Sequence, residues 1–206
     1  MSAFPTSPAP ADIKIQSVQP TRVSQSQAMN LSVRSTGAQR FVLSATWPPM
    51  NRAQFAPISA FVAAQKGRSG VFTWTLPVYQ TPLGVATGAP VVAGANQTGS
   101  ALVTSGWTPG VNGILKAGDY LSIAGQSKVY QVAEDCNSDG SGNATINIIP
   151  SLKVSPSDAS AITINNVPFT LSLGSDTFEH QVINRGGSDD RTSKLFLFSL
   201  QMVEAF

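Results

Sequence analysis

Apolar and polar residues alternate in short runs along most of this chain, and each run predicts a strand. Residues 13–18 alternate around Ile13 and Ile15 and stop at Pro20. Residues 31–34 and 39–47 follow, with 35–38 as a hairpin turn between them. In the second of these, Phe41, Leu43 and Ala45 face one way and Val42, Ser44 and Thr46 the other. Only residues 51–66 change period. Phe55, Ile58, Phe61, Val62 and Gln65 recur at spacings of three and four, the mark of a helix with one apolar stripe. Pro57 belongs in a first turn, which makes 52–55 an irregular entry. Gly67 is placed for the C-cap, and Lys66 and Arg68 suit the negative helix end. Residues 70–77 return to strand, with Phe72, Trp74 and Leu76 on one face.

The middle of the chain reads differently. Residues 82–99 show little periodicity, and 97–100 and 105–107 read as turns. Three short strands follow at 120–123, 129–133 and 144–149, joined by turns at 124–127 and 135–143. Such a meander buries little alone, so it belongs to a small barrel or sandwich. From 162 the long runs resume: 162–167, 169–173, 178–183 and 195–206. In the last, Leu195, Leu197, Ser199 and Gln201 share one face, and Phe196, Phe198, Leu200 and Met202 the other. Both faces are apolar at its start, so this strand is buried twice or covered by a neighbouring subunit. The expected fold is mainly β: a β-sandwich with one α-helix, built from residues 1–80 and 163–206, with a small β-barrel inserted at 81–162. The Pro- and Ser-rich arm at 1–10 is expected to be extended and mobile.

Composition narrows the function. Hydrophobic residues make up 42% of the 206, enough for a proper core, while charged residues make up only 12%, about half the usual share. A polar but weakly charged surface suits contact with other protein subunits. The net charge of +2 argues against sequence-specific nucleic acid or an anionic membrane as partner. No apolar run approaches a membrane span, and no secretory leader opens the chain. The single cysteine, Cys136, excludes an internal disulfide framework, so folding is expected in a reducing cytoplasm.

Candidate chemistry is thin. Asp135-Cys-Asn-Ser-Asp-Gly140 matches the opening half of a calcium loop, but its twelfth position is Ile146 in place of a bidentate Glu, and strands flank it. It reads as a hairpin loop, and no metal is expected. His180, the only histidine, has no nucleophile elbow to serve and reads as an exposed strand residue. Cys136 reads as a surface or half-buried thiol. Asp189 and Asp190, flanked by Arg185 and Arg191, suggest salt-bridged loop ends or a subunit contact. No cofactor and no enzymatic activity are expected.

One order of segments carries a resemblance. A strand ends in Trp47-Pro-Pro49, a helix follows, and then come Gly67-Arg-Ser-Gly-Val-Phe-Thr-Trp74 and Lys116-Ala-Gly-Asp-Tyr-Leu-Ser-Ile123. After them come Ala133-Glu-Asp135, Gly140-Ser-Gly-Asn-Ala-Thr145 and Ile148-Ile-Pro-Ser-Leu152, and last a Phe-rich strand finishing Val203-Glu-Ala-Phe206. Over about four-fifths of its length the chain resembles the distal tail proteins of long-tailed bacteriophages, ring proteins of the tail tip or baseplate hub. The resemblance implies a tail-tube-like belt domain with an inserted OB-like barrel. It also implies a hexameric ring, assembled in the host cytoplasm into the virion. Its neighbours would be the tail tube protein, the hub or tape-measure tip and the receptor-binding or tail-fibre proteins. For a subunit interface the sequence offers Phe196 and Phe198, where the belt packs on its helix or on a neighbour, together with Arg185, Asp189, Asp190 and Arg191. Two other readings compete. One is a carbohydrate-binding β-sandwich adhesin with Trp107, Tyr120 or Tyr130 stacking the sugar. The other is a tail-tube subunit.

Overall fold

A computed structural model describes residues 1–184 and 194–206. In chain order its strands begin with β1 (Ser2–Ala3), β2 (Asp12–Val18), β3 (Thr21–Gln25), β4 (Leu31–Ser35) and β5 (Arg40–Thr46). Helix α1 (Arg52–Ala64) and β6 (Val71–Thr75) follow. Next come β7 (Gly88–Val92), β8 (Ala101–Trp107), β9 (Tyr120–Ile123), β10 (Val129–Val132), β11 (Ala144–Ile149) and β12 (Ile162–Thr163). The chain closes with β13 (Pro168–Leu173), β14 (His180–Asn184) and β15 (Lys194–Glu204). By packing it divides into two compact units: Met1–Val18, Arg40–Trp74 and Thr170–Ala205 form one, and Gln19–Gln39, Thr75–Phe169 and Phe206 the other.

The first unit is built on one sheet in the order β1-β6-β13-β15-β5-β2, with β14 also pairing β15. Strands from both ends of the chain therefore share a single hydrogen-bonded layer. β15 is its axis. Residues 194–198 pair with β14, 199–203 with β5 and 202–204 with β13. The alternation read from sequence holds here: Phe41, Leu43 and Ala45 of β5 are buried, as are Phe198, Leu200 and Met202 of β15. β2 pairs with β5 along its whole length, placing Ile13 beside Ala45 and Ile15 beside Leu43. The expected pairing of 31–34 with 39–47 is thus replaced. The long apolar face of β5 finds a matching face in β2, and β4 pairs instead with β3, a strand whose period is too short to stand out.

Two local expectations are corrected. The helix starts at Arg52, ahead of Pro57, because the Asn51 side chain accepts from Gln54 N while the Gln54 side chain accepts from Asn51 N. That reciprocal cap fixes the first turn before the proline is reached. At the other end Gln65 is the C-cap, and left-handed backbone falls on Lys66 and then Gly67. Gly67 has φ +68°, a conformation that favours glycine, and a Cβ there would also meet Asp176 Oδ1 at 2.6 Å. The amino-terminal arm is also held. β1 pairs in parallel with β6, Pro8 O accepts from Trp47 Nε1 at 3.0 Å, and Phe4 is buried 5.3 Å from the rings of Phe61 and Trp74. Phe4 is the arm's one aromatic side chain, and the aromatic cluster supplies a slot for it.

The second unit contains a nearly closed barrel in the order β12-β9-β10-β11-β8-β7. Its last gap is bridged by Val91 pairing with Ala161 and by Val92 N donating to Ser160 O at 2.9 Å. Every neighbouring pair along this path is antiparallel. The three-stranded meander is present as read. β8 replaces the turn assigned at 105–107: Leu102, Thr104 and Trp107 point inward, but Ser105 and Gly106 put two small residues between the last two and blur the alternation. The core gathers Leu102, Leu121, Tyr130, Ile146 and Ile148 around Trp107.

Candidate assembly interface

The two phenylalanines singled out on β15 face the interior of their own unit. Phe198 is buried, stacked on Trp47 with ring centres 4.8 Å apart and edge-on to Phe55 at 5.4 Å. Phe196 is half-buried and stacks on Phe55 of α1 at 4.7 Å. The aromatic pairs tie β15 to the helix, so charge introduced at either position strikes the fold before any contact between copies. Arg185, Asp189, Asp190 and Arg191 lie outside the described residues.

What this unit leaves open is its edges. Among the described residues β14 pairs only with β15, and all five of its residues, His180 to Asn184, are exposed, Val182 and Ile183 among them. It carries no lysine, arginine, carboxylate or proline, the features that usually protect a strand edge. Among the described residues β2 pairs only with β5. Met50 exchanges both backbone bonds with Phe196, on the β5 side of β15. The β14 and β2 edges therefore lie on opposite sides of β15. Along the path β2-β5-β15-β14 every pairing is antiparallel, so strand direction alternates.

In the second unit the aromatic residues offered for sugar stacking are interior. Trp107 and Tyr130 are buried, and so is Tyr120. Trp107 Nε1 donates to Thr104 Oγ1, and Tyr130 OH donates to Gln126 Oε1 at 2.9 Å. Tyr120 sits edge-on to Tyr79 at 5.0 Å; burial, and secondarily Tyr79, push its phenol up to about 12. Beside it lies a cavity of about 170 Å³ whose lining includes Tyr79, Leu83, Asp119 and Ile164. The Asp119 carboxylate accepts the backbone N–H groups of Leu83, Gly84 and Lys116, so it pins loops and has little capacity left for a ligand. Nothing in its sequence setting, a short Gly-Asp turn, marked it.

The oxygens of the calcium-like loop are taken up by the protein itself. Asp139 Oδ1 accepts from Ser141 N and Asn143 N, both at 2.8 Å. Asp135 accepts from Lys116 Nζ at 2.7 Å and Ala117 N at 3.0 Å, and the lysine bond holds its carboxyl below the ordinary range. Cys136 is more deeply placed than expected. It packs in the barrel core with Sγ 3.2 Å from Thr145 O, and burial pushes its thiol up. His180 is exposed on β14 as read, its ring 4.9 Å from Phe55. Among the described residues no group of three or more His, Cys, Asp or Glu is placed to hold a metal ion, and no helix is long and apolar enough to cross a membrane.

No curated protein matches this chain in sequence. Residues 79–167, the stretch that contains all six barrel strands, match the family described as distal tail protein pb9, B domain. The barrel is thus the part of the chain that a known family recognises, and it is the part whose side chains are spent on packing and turns. Over this stretch, less than half of the chain, the match supports a distal tail protein family of bacteriophages, whose members are structural components of the tail.

Proposed function

We propose that this chain is the ring-forming subunit of a phage tail tip, with six copies closing around the channel and joining the tail tube to the hub and the receptor-binding proteins. In this reading residues 1–80 and 163–206 act as the belt, and 81–162 as an OB-like module carried on it. The observation that supports it is that β14 and β2, on opposite sides of one sheet, each have a single strand partner among the described residues. Because β2, β5, β15 and β14 alternate in direction, a copy related by rotation brings its β2 antiparallel against the β14 edge of its neighbour. Such a contact is heterologous, and it closes into a ring when the rotation permits. It also satisfies both edges without any new element. A sugar-binding adhesin has less support, since the three rings it needs are interior.

Native mass spectrometry and negative-stain images of the purified full chain test the proposal. A single closed ring of six copies is the expected result. A monomer at every concentration would overturn it, and open-ended tubes would favour a tail-tube subunit.

A further inference from the structure

The chain has one Asn-Gly pair, Asn112-Gly113, and one Asp-Gly pair, Asp139-Gly140. Such pairs are prone to cyclise, because the following glycine has no Cβ to keep its nitrogen away from the side-chain carbonyl carbon. At Asn112 the reaction would run in two steps. The Gly113 nitrogen gives up its proton and bonds to Asn112 Cγ. The side-chain nitrogen leaves as ammonia, a proton replacing the lost bond, and a succinimide ring remains. Water then opens the ring at either carbonyl, giving aspartate or its backbone-shifted isomer.

The fold brings the two pairs together and holds both. Backbone bonds lace residues 110–115 to 136–139: Gly110 N donates to Asp139 O at 2.8 Å, Ser138 N to Val111 O at 3.0 Å and Cys136 N to Leu115 O at 3.0 Å. Within this lacing Gly113 N donates to Asn137 Oδ1 at 2.6 Å, and Gly113 O accepts from Val85 N at 3.0 Å. Gly113 is buried, while Asn112 is exposed to the water that would complete the reaction. A hydrogen bond made by the neutral form of a group disfavours its ionised form. A deprotonated Gly113 nitrogen would face the lone pairs of Asn137 Oδ1, and it would also have to leave that oxygen to reach Asn112 Cγ. At the second pair, Asp139 Oδ1 accepts from Asn143 N and Ser141 N, both at 2.8 Å. Those bonds hold its carboxyl below the ordinary range, in the ionised form that a nitrogen attacks poorly.

We propose that Asn112 is a latent deamidation site and that Asn137 is its lock: by holding the Gly113 N–H, it keeps the Asn112-Gly113 peptide from cyclising in the folded chain. The calcium-like spacing thereby acquires a use. Asp135, Asn137 and Asp139 stand at alternate positions, and each accepts a backbone N–H with its side-chain oxygen. The lock is independent of how copies assemble.

The test follows deamidation of the full chain at mildly alkaline pH by peptide mapping with mass spectrometry, with circular dichroism to establish folding. In the unmodified chain the Asn112 peptide is expected to deamidate at least about tenfold more slowly when folded than in urea, the factor that one hydrogen bond is worth. N137A should raise the folded rate by a similar factor. N137D keeps an acceptor oxygen in place and should stay close to the unmodified chain. Equal rates for the unmodified chain folded and in urea would overturn the latent site. Equal rates for N137A and N137D would overturn Asn137 as the lock. Should N137A fail to fold, exchange of the Gly113 amide in the unmodified chain decides: strong protection supports the lock, and exchange as fast as in urea overturns it.

Discussion

Thr104→Val changes one oxygen for a methyl group at the centre of the barrel. Thr104 Oγ1 accepts from Trp107 Nε1 at 2.8 Å and donates to Ala144 O at 2.8 Å, and both side chains are buried. Valine keeps the shape, so no cavity opens. The indole N–H loses its acceptor where no water reaches it, which costs about 1–3 kcal/mol, and the lost bond to Ala144 O adds about 1 kcal/mol. The expected destabilisation is about 2–4 kcal/mol. Trp107→Phe removes the donor, so in its background Thr104→Val should cost less by about 1–2 kcal/mol, a coupling that a double-mutant cycle reads directly. Amide hydrogen exchange in β8 and β11, followed by mass spectrometry, is the suitable assay because it measures opening of this unit by itself. Exchange shifted by less than about 0.5 kcal/mol, or strictly additive costs in the double variant, would refute the relay.

Three further outcomes follow from the packing and the charges. Phe198→Ala should destabilise the first unit by about 3–5 kcal/mol as a fully buried aromatic truncation, and Phe196→Ala, half-buried, by clearly less; equal losses measured by exchange along β15 would contradict the burial. Asp135 has a folded carboxyl pKa below its unfolded value, so the stability it contributes is present above the ordinary Asp range and is lost as pH falls through the depressed value. Lys116→Met should move that titration back up, as read by carboxyl carbon NMR, and an unmoved titration would show that the lysine is not the cause. Cys136 should react with a thiol reagent far more slowly in the folded chain than in urea, given its burial and raised pKa; equal rates would place it at the surface.

How much was legible in the sequence depended on how far side chains carried the pattern. Phe41, Leu43 and Ala45 announced β5 because bulky and small residues alternate cleanly over seven positions. β8 was hidden, since alanine, serine and glycine take three of its seven positions. The helix was found by its stripe, yet its start was misplaced because a proline signal outweighed the quieter Asn51–Gln54 cap. Pairing was harder than strand position. That β5 joins β2 and not the adjacent 31–35 segment is a statement about matched faces distant in sequence, which local period does not contain. The arm's attachment rests on one residue, Phe4, and the fate of Asp119 on three backbone donors that no motif encodes.

The strand at the axis of the first sheet is also the last of that sheet's strands in chain order. While a ribosome has yet to release residues 194–204, β5 and β13 stand on either side of an empty position, and the surface proposed to meet another copy does not exist. Residues 79–167 need no such delay, since all their ladder partners have by then emerged. Synthesis thus imposes a timetable: the barrel strands can pair on the nascent chain, and the first sheet is completed only once translation has passed β15.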